Sequence, residues 1–236
     1  IDDVKNMFKR LNLTDYNLNN QERRNVISGE FAALARELAE NEFWSKEGKE
    51  LFRANIVKRM QDVEFCASLI LLYKRGIIDQ QTDKALNDAY RDYESNYGDA
   101  DKDRNAVLKA MELVDKFICD KTLPFLRRTS QLYTLFSVVF YIMSKNKTIS
   151  DKEVKKFYAF IDIYDKFKNE ENVTLDLSLE ERNLYDLFKK YKQASSEGTR
   201  KLINRMARFD VLKHFLLEDD STDELVSSLC EKLEKM

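Results

Sequence analysis

Two short segments near the start of the chain carry arginine, asparagine and glutamate at predicted helix ends. The segment 8–12 (FKRLN) ends a first helix, and after a polar turn the segment 18–25 (LNNQERRN) begins the next one. The free N–H groups of a helix N-terminus, together with arginine side chains, can bind an anion such as a phosphate. Asparagine and glutamate in these places also serve as helix caps and local ion pairs, so both interpretations stay open.

A second group of basic residues falls within one predicted helix near the other end of the chain. Arg200 and Arg208 lie eight residues apart on one helix face, and Arg205 lies on the adjacent row. Such a stripe can contact the phosphates of a nucleic acid, which makes Arg200, Arg205 and Arg208 a candidate nucleic-acid face. The alternative is a set of ion pairs with neighbouring acidic helices.

The residue patterns needed for self-sufficient catalysis are missing from the sequence. His214 is the single histidine, whereas metalloproteases pair two histidines and a catalytic triad needs a histidine oriented by a carboxylate. The sequence contains no glycine-rich phosphate loop, no C-x-x-C pair and no E-x-x-H pair. We therefore predict no catalytic and no metal-ligating residue, which disfavours an independent small-molecule hydrolase.

The composition predicts an all-α protein. Five glycines and one proline in 236 residues are too few for the turns of an all-β chain. The 40 basic and 42 acidic residues are well mixed, so no overall field draws the chain to nucleic acid or to an anionic membrane. Cys66, Cys119 and Cys230 are predicted to be buried thiols in a reducing compartment. The longest apolar stretch, 132–143, is too short to span a bilayer, so we expect a cytoplasmic protein.

Apolar residues recur at three- and four-residue spacing almost throughout, which indicates amphipathic helices. We predict roughly ten helices in a compact, bundle-like array, with no fixed repeat and therefore no solenoid. An acidic loop is expected at 99–103, and the most apolar helix is expected to be the central core helix. Besides a short first helix, the predicted helices are about 20–38 with a break near Gly29, 58–74, 82–97, 105–120, 125–145 (the most apolar), 150–168, 179–192, 199–217 and 222–235.

The first segments also resemble a known family. The pairing of F-x-x-L-N (8–12) with L-N-x-Q-E-x-R-N (18–25) is similar to the pattern F-x-x-I-N…L-N-x-Q-E-[IL]-R-N of the ParB-like, GmrS-type family catalogued as domain of unknown function 262. The segment 59–64 (RMQDVE) is similar to the R-M-x-D-x-E helix of that family, and 29–38 echoes its G-x-F-N-x-L-x-x-E-L stretch. The resemblance covers about residues 1–75. We predict a single helical domain, 1–236, with 76–236 as a helical extension.

The resemblance implies a nucleotide or phosphate site. In the family, an upstream Asp-Gly-Gln-Gln-Arg motif carries the nucleotide chemistry, and that motif is absent from this chain. The residues that match the family pattern are Phe8, Asn12, Gln21, Glu22, Arg24 and Asn25. Of these, Asn12 and Arg24 are the implied contacts with phosphate, with Glu22 orienting an arginine. Arg23 stands where the family has an aliphatic residue, and 15–17 (DYN) replaces its small, glycine-containing turn.

Function is predicted from the same resemblance. The first residue is Ile1 rather than methionine, so we expect a piece of a longer protein. The resemblance implies the helical C-terminal portion of a bacterial, NTP-dependent nucleic-acid-processing protein of the restriction and phage-defence type, inactive alone. Its implied partners are an N-terminal ParB-like domain and DNA, and NTP and Mg²⁺ are implied only for the longer protein. The alternative is a helical protein-interaction or scaffold domain in which Asn12 and Arg24 act only as caps.

Overall fold

A computed structural model describes residues 19–24, 29–167, 176–218 and 223–234. In this part of the chain the regular structure is entirely helical, which confirms the all-α class. No helix among these residues has the length and apolar character needed to cross a bilayer. The helices are α1 (Asn20–Arg24), α2 (Glu30–Ala39), a 3-10 helix (Glu42–Trp44), α3 (Ala54–Lys58), α4 (Gln61–Arg75), α5 (Lys84–Asp92), α6 (Ala100–Asp115), α7 (Leu123–Leu126), α8 (Thr129–Ser144), α9 (Asp151–Lys166), α10 (Leu179–Ser196), α11 (Leu202–Leu217) and α12 (Asp223–Glu234).

The chain divides into two compact units. Unit 1 takes its residues from 1–75 and 82–108, and unit 2 takes them from 76–81 and 109–236. The boundary after Arg75 coincides with the predicted end of the family-like segment, but unit 1 also includes the later stretch 82–108. That the whole chain is a single domain stays a prediction.

Unit 1 is built around α4. This helix is buried on almost every side, because α2, α3 and α5 all pack against it. Trp44 of the 3-10 helix stacks on Phe52 at 4.8 Å between ring centroids, and its indole N–H donates to the carbonyl of Leu38 at 2.7 Å. The 3-10 helix and α3 were not predicted, because three or five residues are too few to display a helical period.

The acidic run at 99–103 was predicted to be a loop, and that prediction was wrong. Ala100 begins α6, so Asp101 and Asp103 lie in the first helical turn, where carboxylates interact favourably with the helix dipole. Asp103 is buried, and its Oδ2 accepts a 2.5 Å hydrogen bond from the Tyr97 hydroxyl and lies 3.0 Å from Lys74 Nζ. The acidic residues therefore start the helix and tie it to α4.

Unit 2 has α8 at its centre. Leu132, Phe136 and Val139 are fully buried, in agreement with the prediction of a central core helix. The predicted helix 125–145 is divided in two, because the extended backbone of Arg128 separates α7 from α8. Pro124 lies in the first turn of α7, where a proline is tolerated.

Two capping boxes begin α9 and α10. The box of Ser150 and Glu153 confirms the start predicted for α9, and Ser178 with Glu181 forms the second. Glu181 also holds α12 in place, because its carboxylate accepts from the Ser228 hydroxyl at 2.7 Å and from Lys232 Nζ at 2.6 Å. These donors, Lys232 first, lower the pKa of Glu181 from 4.5 to about 2.

We predict that this contact makes unit 2 sensitive to acid. A lowered pKa stabilises the folded state fully above pH 4.5, and the stabilisation is lost as the pH falls towards 2. Glu181→Gln should lower the free energy of unfolding by about 1–3 kcal/mol at pH 6, measured by urea denaturation. The difference in the free energy of unfolding between Glu181→Gln and the wild type should shrink below pH 4.5. Glu180→Gln, an exposed neighbour, is the control, and a difference that does not depend on pH would contradict the assignment.

Gly29 begins α2 in a conformation that only glycine adopts easily. Its φ is +149°, and a Cβ added there would lie 2.8 Å from the carbonyl oxygen of Glu94 and 2.9 Å from Glu94 Cα. The close approach is between two backbones, so no side-chain movement can relieve it. Gly76, which follows the last residue of α4, also has a positive φ of +71° but has no atom within 4 Å of such a Cβ.

The two glycines therefore form a matched pair of variants. Gly29→Ala should destabilise the protein by about 2 kcal/mol or more, because conformational strain and backbone overlap act together. Gly76→Ala should lower the free energy of unfolding by about 1 kcal/mol, since only the conformational strain of a positive φ acts there. Chemical denaturation of both variants tests this, and equal losses would show that the approach of Glu94 to Gly29 is not a constraint.

Candidate functional site

The motif residues at the start of α1 form a reciprocal cap. The backbone N–H of Glu22 donates to Asn19 Oδ1 at 2.8 Å, and the backbone N–H of Asn19 donates to Glu22 Oε2 at 2.6 Å. This arrangement satisfies two backbone donors that a helix N-terminus would otherwise leave unpaired. Asn19 is therefore the N-cap of α1.

The two segments that carry the family resemblance meet at this cap. The Asn19 side-chain amide donates to the carbonyl oxygen of Arg59 at 2.9 Å, and Arg59 Nε lies 3.4 Å from Glu22 Oε1. Met60, with a φ of +55°, then turns the chain into α4. Segments about forty residues apart in the sequence are thus joined by one polar cluster.

Arg24 is the centre of this cluster. Its side chain is only 3% exposed, and Nη2 forms an ion pair with Asp83 Oδ1 at 2.6 Å. Nε donates to Asn87 Oδ1 at 2.8 Å, and Nη1 donates to Gln21 Oε1 at 3.0 Å and lies 3.7 Å from Glu64 Oε2. The guanidinium group therefore connects α1 with α4 and α5. Its partners Asp83 and Asn87 were not predicted, although their i, i+4 spacing places them on one helix face.

The arrangement does not present Glu22 or Arg24 to an external phosphate. Two carboxylates already compensate the charge of Arg24, and they would repel an anion that approached it. Glu22 does pair with an arginine, but that arginine is Arg59. For these two residues the geometry favours capping and ion pairing, one of the interpretations open from sequence. Asn12 and Asn25 lie outside the described residues.

Asp62, in the second matched segment, keeps a carboxylate oxygen without a hydrogen-bond partner. Asp62, in the first turn of α4, is buried, and its Oδ1 has no hydrogen-bond partner. Burial raises the pKa of Asp62, and the backbone N–H groups of Val63 and Asp62 oppose that shift. Within the described part of the chain no group of three or more metal-ligating side chains is close enough to hold an ion.

The predicted nucleic-acid face requires a correction. Arg208 is 0% exposed, and it donates to Thr134 Oγ1 at 3.1 Å, to the carbonyl of Ala194 at 2.5 Å and to the carbonyl of Thr199 at 2.7 Å. Ala194 lies near the C-terminus of α10, where the carbonyl groups carry the negative end of the helix dipole. Arg208 thus ties α11 to the end of α10, and it does not face solvent.

Arg205 is buried as well. It is 6% exposed, lies 4.0 Å above the ring of Tyr133, and donates to the carbonyl of Ile78 at 3.0 Å and to Gln80 Oε1 at 2.8 Å. Burial lowers the pKa of Arg205 to about 10. Of the three predicted residues only Arg200 is exposed, so the three arginines do not form a solvent-facing stripe. The partners of Arg205 and Arg208 are carbonyls, an amide and a hydroxyl rather than acidic side chains.

The remaining candidate residues have ordinary surroundings. His214 Nδ1 lies 3.2 Å from Glu218 Oε2 on an exposed part of α11, in line with a surface role.

Cys66 and Cys230 are buried as predicted, but Cys119 is partly exposed, so the prediction for that thiol was wrong. Cys119 lies in the turn before α7 rather than on a helix face, which is why it reaches solvent.

Comparison with protein-family models, with curated proteins and with solved structures finds no match to this chain. The ParB-like resemblance therefore rests on the motif residues of the sequence.

We predict that Arg208 is a folding residue. Arg208→Met should lower the free energy of unfolding by about 3 kcal/mol or more, because three buried acceptors lose their donor. The matched control Arg200→Met removes an exposed arginine just before the same helix and should change stability by less than about 0.5 kcal/mol. Urea denaturation of both variants measures this. Wild-type stability in Arg208→Met would show that the three hydrogen bonds are dispensable.

Proposed function

We propose that the chain is a helical portion of a ParB-like, NTP-dependent nucleic-acid-processing protein of the restriction and phage-defence type. One observation carries the proposal: the two sequence segments on which the resemblance rests form a single, largely buried polar cluster around Arg24. Motif residues that were matched only by sequence are therefore also neighbours in space, as expected if they belong to one shared framework.

In this proposal Glu22 and Arg24 position the site and do not contact its ligand. Glu22 fixes Asn19 through the reciprocal cap, and Arg24 holds α1 against α4 and α5. Asn12, in the segment that precedes α1 in the sequence, is the proposed phosphate contact. The catalytic groups, the NTP and Mg²⁺ belong to the N-terminal ParB-like part of the longer protein, and DNA is its substrate.

A second function is favoured by a different observation. Internal partners account for the charge of Arg24 and for its Nε and Nη1 donors, so folding alone can explain the motif. The chain would then be a helical interaction or scaffold domain with no part in a nucleotide site. The two functions differ in what Asn12 does, and that difference is measurable.

We predict opposite effects of two substitutions in the complete gene product. Asn12→Ala should lower NTP turnover by about 10- to 100-fold at unchanged melting temperature, because it removes a hydrogen bond to a charged phosphate. Arg24→Met should lower the melting temperature by several degrees together with turnover, because the partly buried carboxylates of Glu64 and Asp83 lose a buried cationic partner. Phosphate release is measured with Mg²⁺ and each of ATP, GTP, CTP and UTP, with and without phage DNA.

Arg23→Met is the matched control, since Arg23 is the exposed neighbour of Arg24 and should affect neither quantity. Wild-type turnover in Asn12→Ala would remove that residue from the site. A complete gene product that neither binds nor hydrolyses any of the four nucleotides, and whose coding sequence lacks Asp-Gly-Gln-Gln-Arg upstream, would overturn the proposal in favour of the scaffold.

A further inference from the structure

Two cationic side chains from different helices converge on one tyrosine of unit 2. Tyr164 of α9 is 4% exposed and packs against Phe125 at 4.9 Å between ring centroids. Lys192 of α10 places Nζ 3.7 Å from the centroid of the Tyr164 ring. Arg128, at the start of α8, donates from Nη1 to the Tyr164 hydroxyl at 3.0 Å. The two positive charges therefore share a single aromatic ring.

Neither cation has an acidic partner. Among the described residues no carboxylate lies within ion-pair distance of Arg128 or Lys192, and Asp165 is the acidic side chain that acts on Lys192 from further away. Burial lowers the pKa of Lys192, Asp165 opposes that shift, and the charge of Arg128 adds to it. The ring of Tyr164 offers only a cation–π contact, which is weaker than an ion pair. Two like charges are thus held together with little compensation.

Hydrogen-bond donors lie next to these cations. Arg128 is the N-cap residue of α8 and makes no side-chain cap, and the hydrogen bonds to its carbonyl come from Gln131 and Leu132. Within the described part of the chain, the backbone N–H groups and hydroxyls of Thr129 and Ser130 donate to no protein acceptor. A group with several oxygen acceptors and a negative charge could use both the cations and these donors.

We propose that Arg128 and Lys192 form a phosphate site in unit 2, with the Tyr164 hydroxyl and the first turn of α8 at its edge. Phosphate fits better than a carboxylate, because it has more acceptor oxygens and a charge that matches two cations. The phosphate can belong to a nucleic-acid backbone or to a small free molecule. No residue of the α1 cluster takes part, so the site stands independently of the proposed nucleotide function.

The experiment is a titration of the full chain with inorganic phosphate, with chloride added to keep the ionic strength constant. The wild type should gain about 3 °C in melting temperature at a phosphate concentration ten times the dissociation constant. Lys192→Met and Arg128→Met should each lose this gain. Lys190→Met, which removes an exposed lysine of the same helix, should retain it. Lys192→Arg keeps the charge and should restore the gain if Lys192→Met folds poorly.

A second readout separates binding from a purely structural role. The pKa of Lys192, followed by NMR of the labelled Lys192 side chain, should rise when phosphate is added, because the anion stabilises the charged form.

Binding of a single-stranded DNA oligonucleotide identifies the source of the phosphate. The logarithm of the DNA-binding constant falls linearly with the logarithm of the salt concentration. If the magnitude of this slope is smaller by about one in Lys192→Met than in the wild type, the site binds a nucleic-acid backbone. If the slope is unchanged and inorganic phosphate still raises the melting temperature of the wild type, the site binds a free phosphate compound. No gain over chloride in the wild type, or an equal gain in Lys192→Met and Arg128→Met, would overturn the proposal.

Discussion

A guanidinium group that leaves water must find oxygen acceptors inside the protein, and in the described part of the chain Arg24, Arg205 and Arg208 are buried in this way. Each of them draws its acceptors from segments that are distant in the sequence. Arg24 collects partners from α4, from α5 and from Asp83 just before it, so the position of α1 depends on helices that follow it by forty to seventy residues. The burial of one charge thereby constrains the packing of several helices, because any displacement would leave donors and acceptors unpaired.

Unit 2 meets the same constraint without carboxylates. Arg208 is bound mainly by backbone carbonyls at the end of α10, and Arg205 by Ile78 and Gln80 in the segment 76–81. Carbonyl groups at a helix C-terminus carry partial negative charge, so they serve as acceptors for a cation and are themselves satisfied by it. Arg205 and Arg208 lie one turn apart on α11, and this helix therefore holds both 76–81 and the end of α10.

The helices could be predicted because their signals are local. Apolar periodicity, the capping box at Ser150 and the glycine stop at Gly76 each depend on a few neighbouring residues, and the helix end predicted at 74 and the helix start predicted at 150 lie close to the observed Arg75 and Asp151. The burial of Arg205 and Arg208 depends on distant carbonyls that no local pattern reveals. A partial signal did exist, since Arg205 and Arg208 continue the helix face of Leu212 and Phe215, which are buried. A basic residue in an apolar stripe is better interpreted as a buried arginine than as part of a nucleic-acid surface.

The same reasoning bears on what a motif match can mean. Gln21, Glu22 and Arg24 match the family pattern, and all three are occupied by internal partners. A match on such residues is evidence about helix packing rather than about ligand binding, because their chemistry is already used to hold helices together. Ligand chemistry must then come from charged groups whose interactions inside the protein are incomplete. Arg128 and Lys192 are of this kind, and they belong to no motif that sequence comparison would single out.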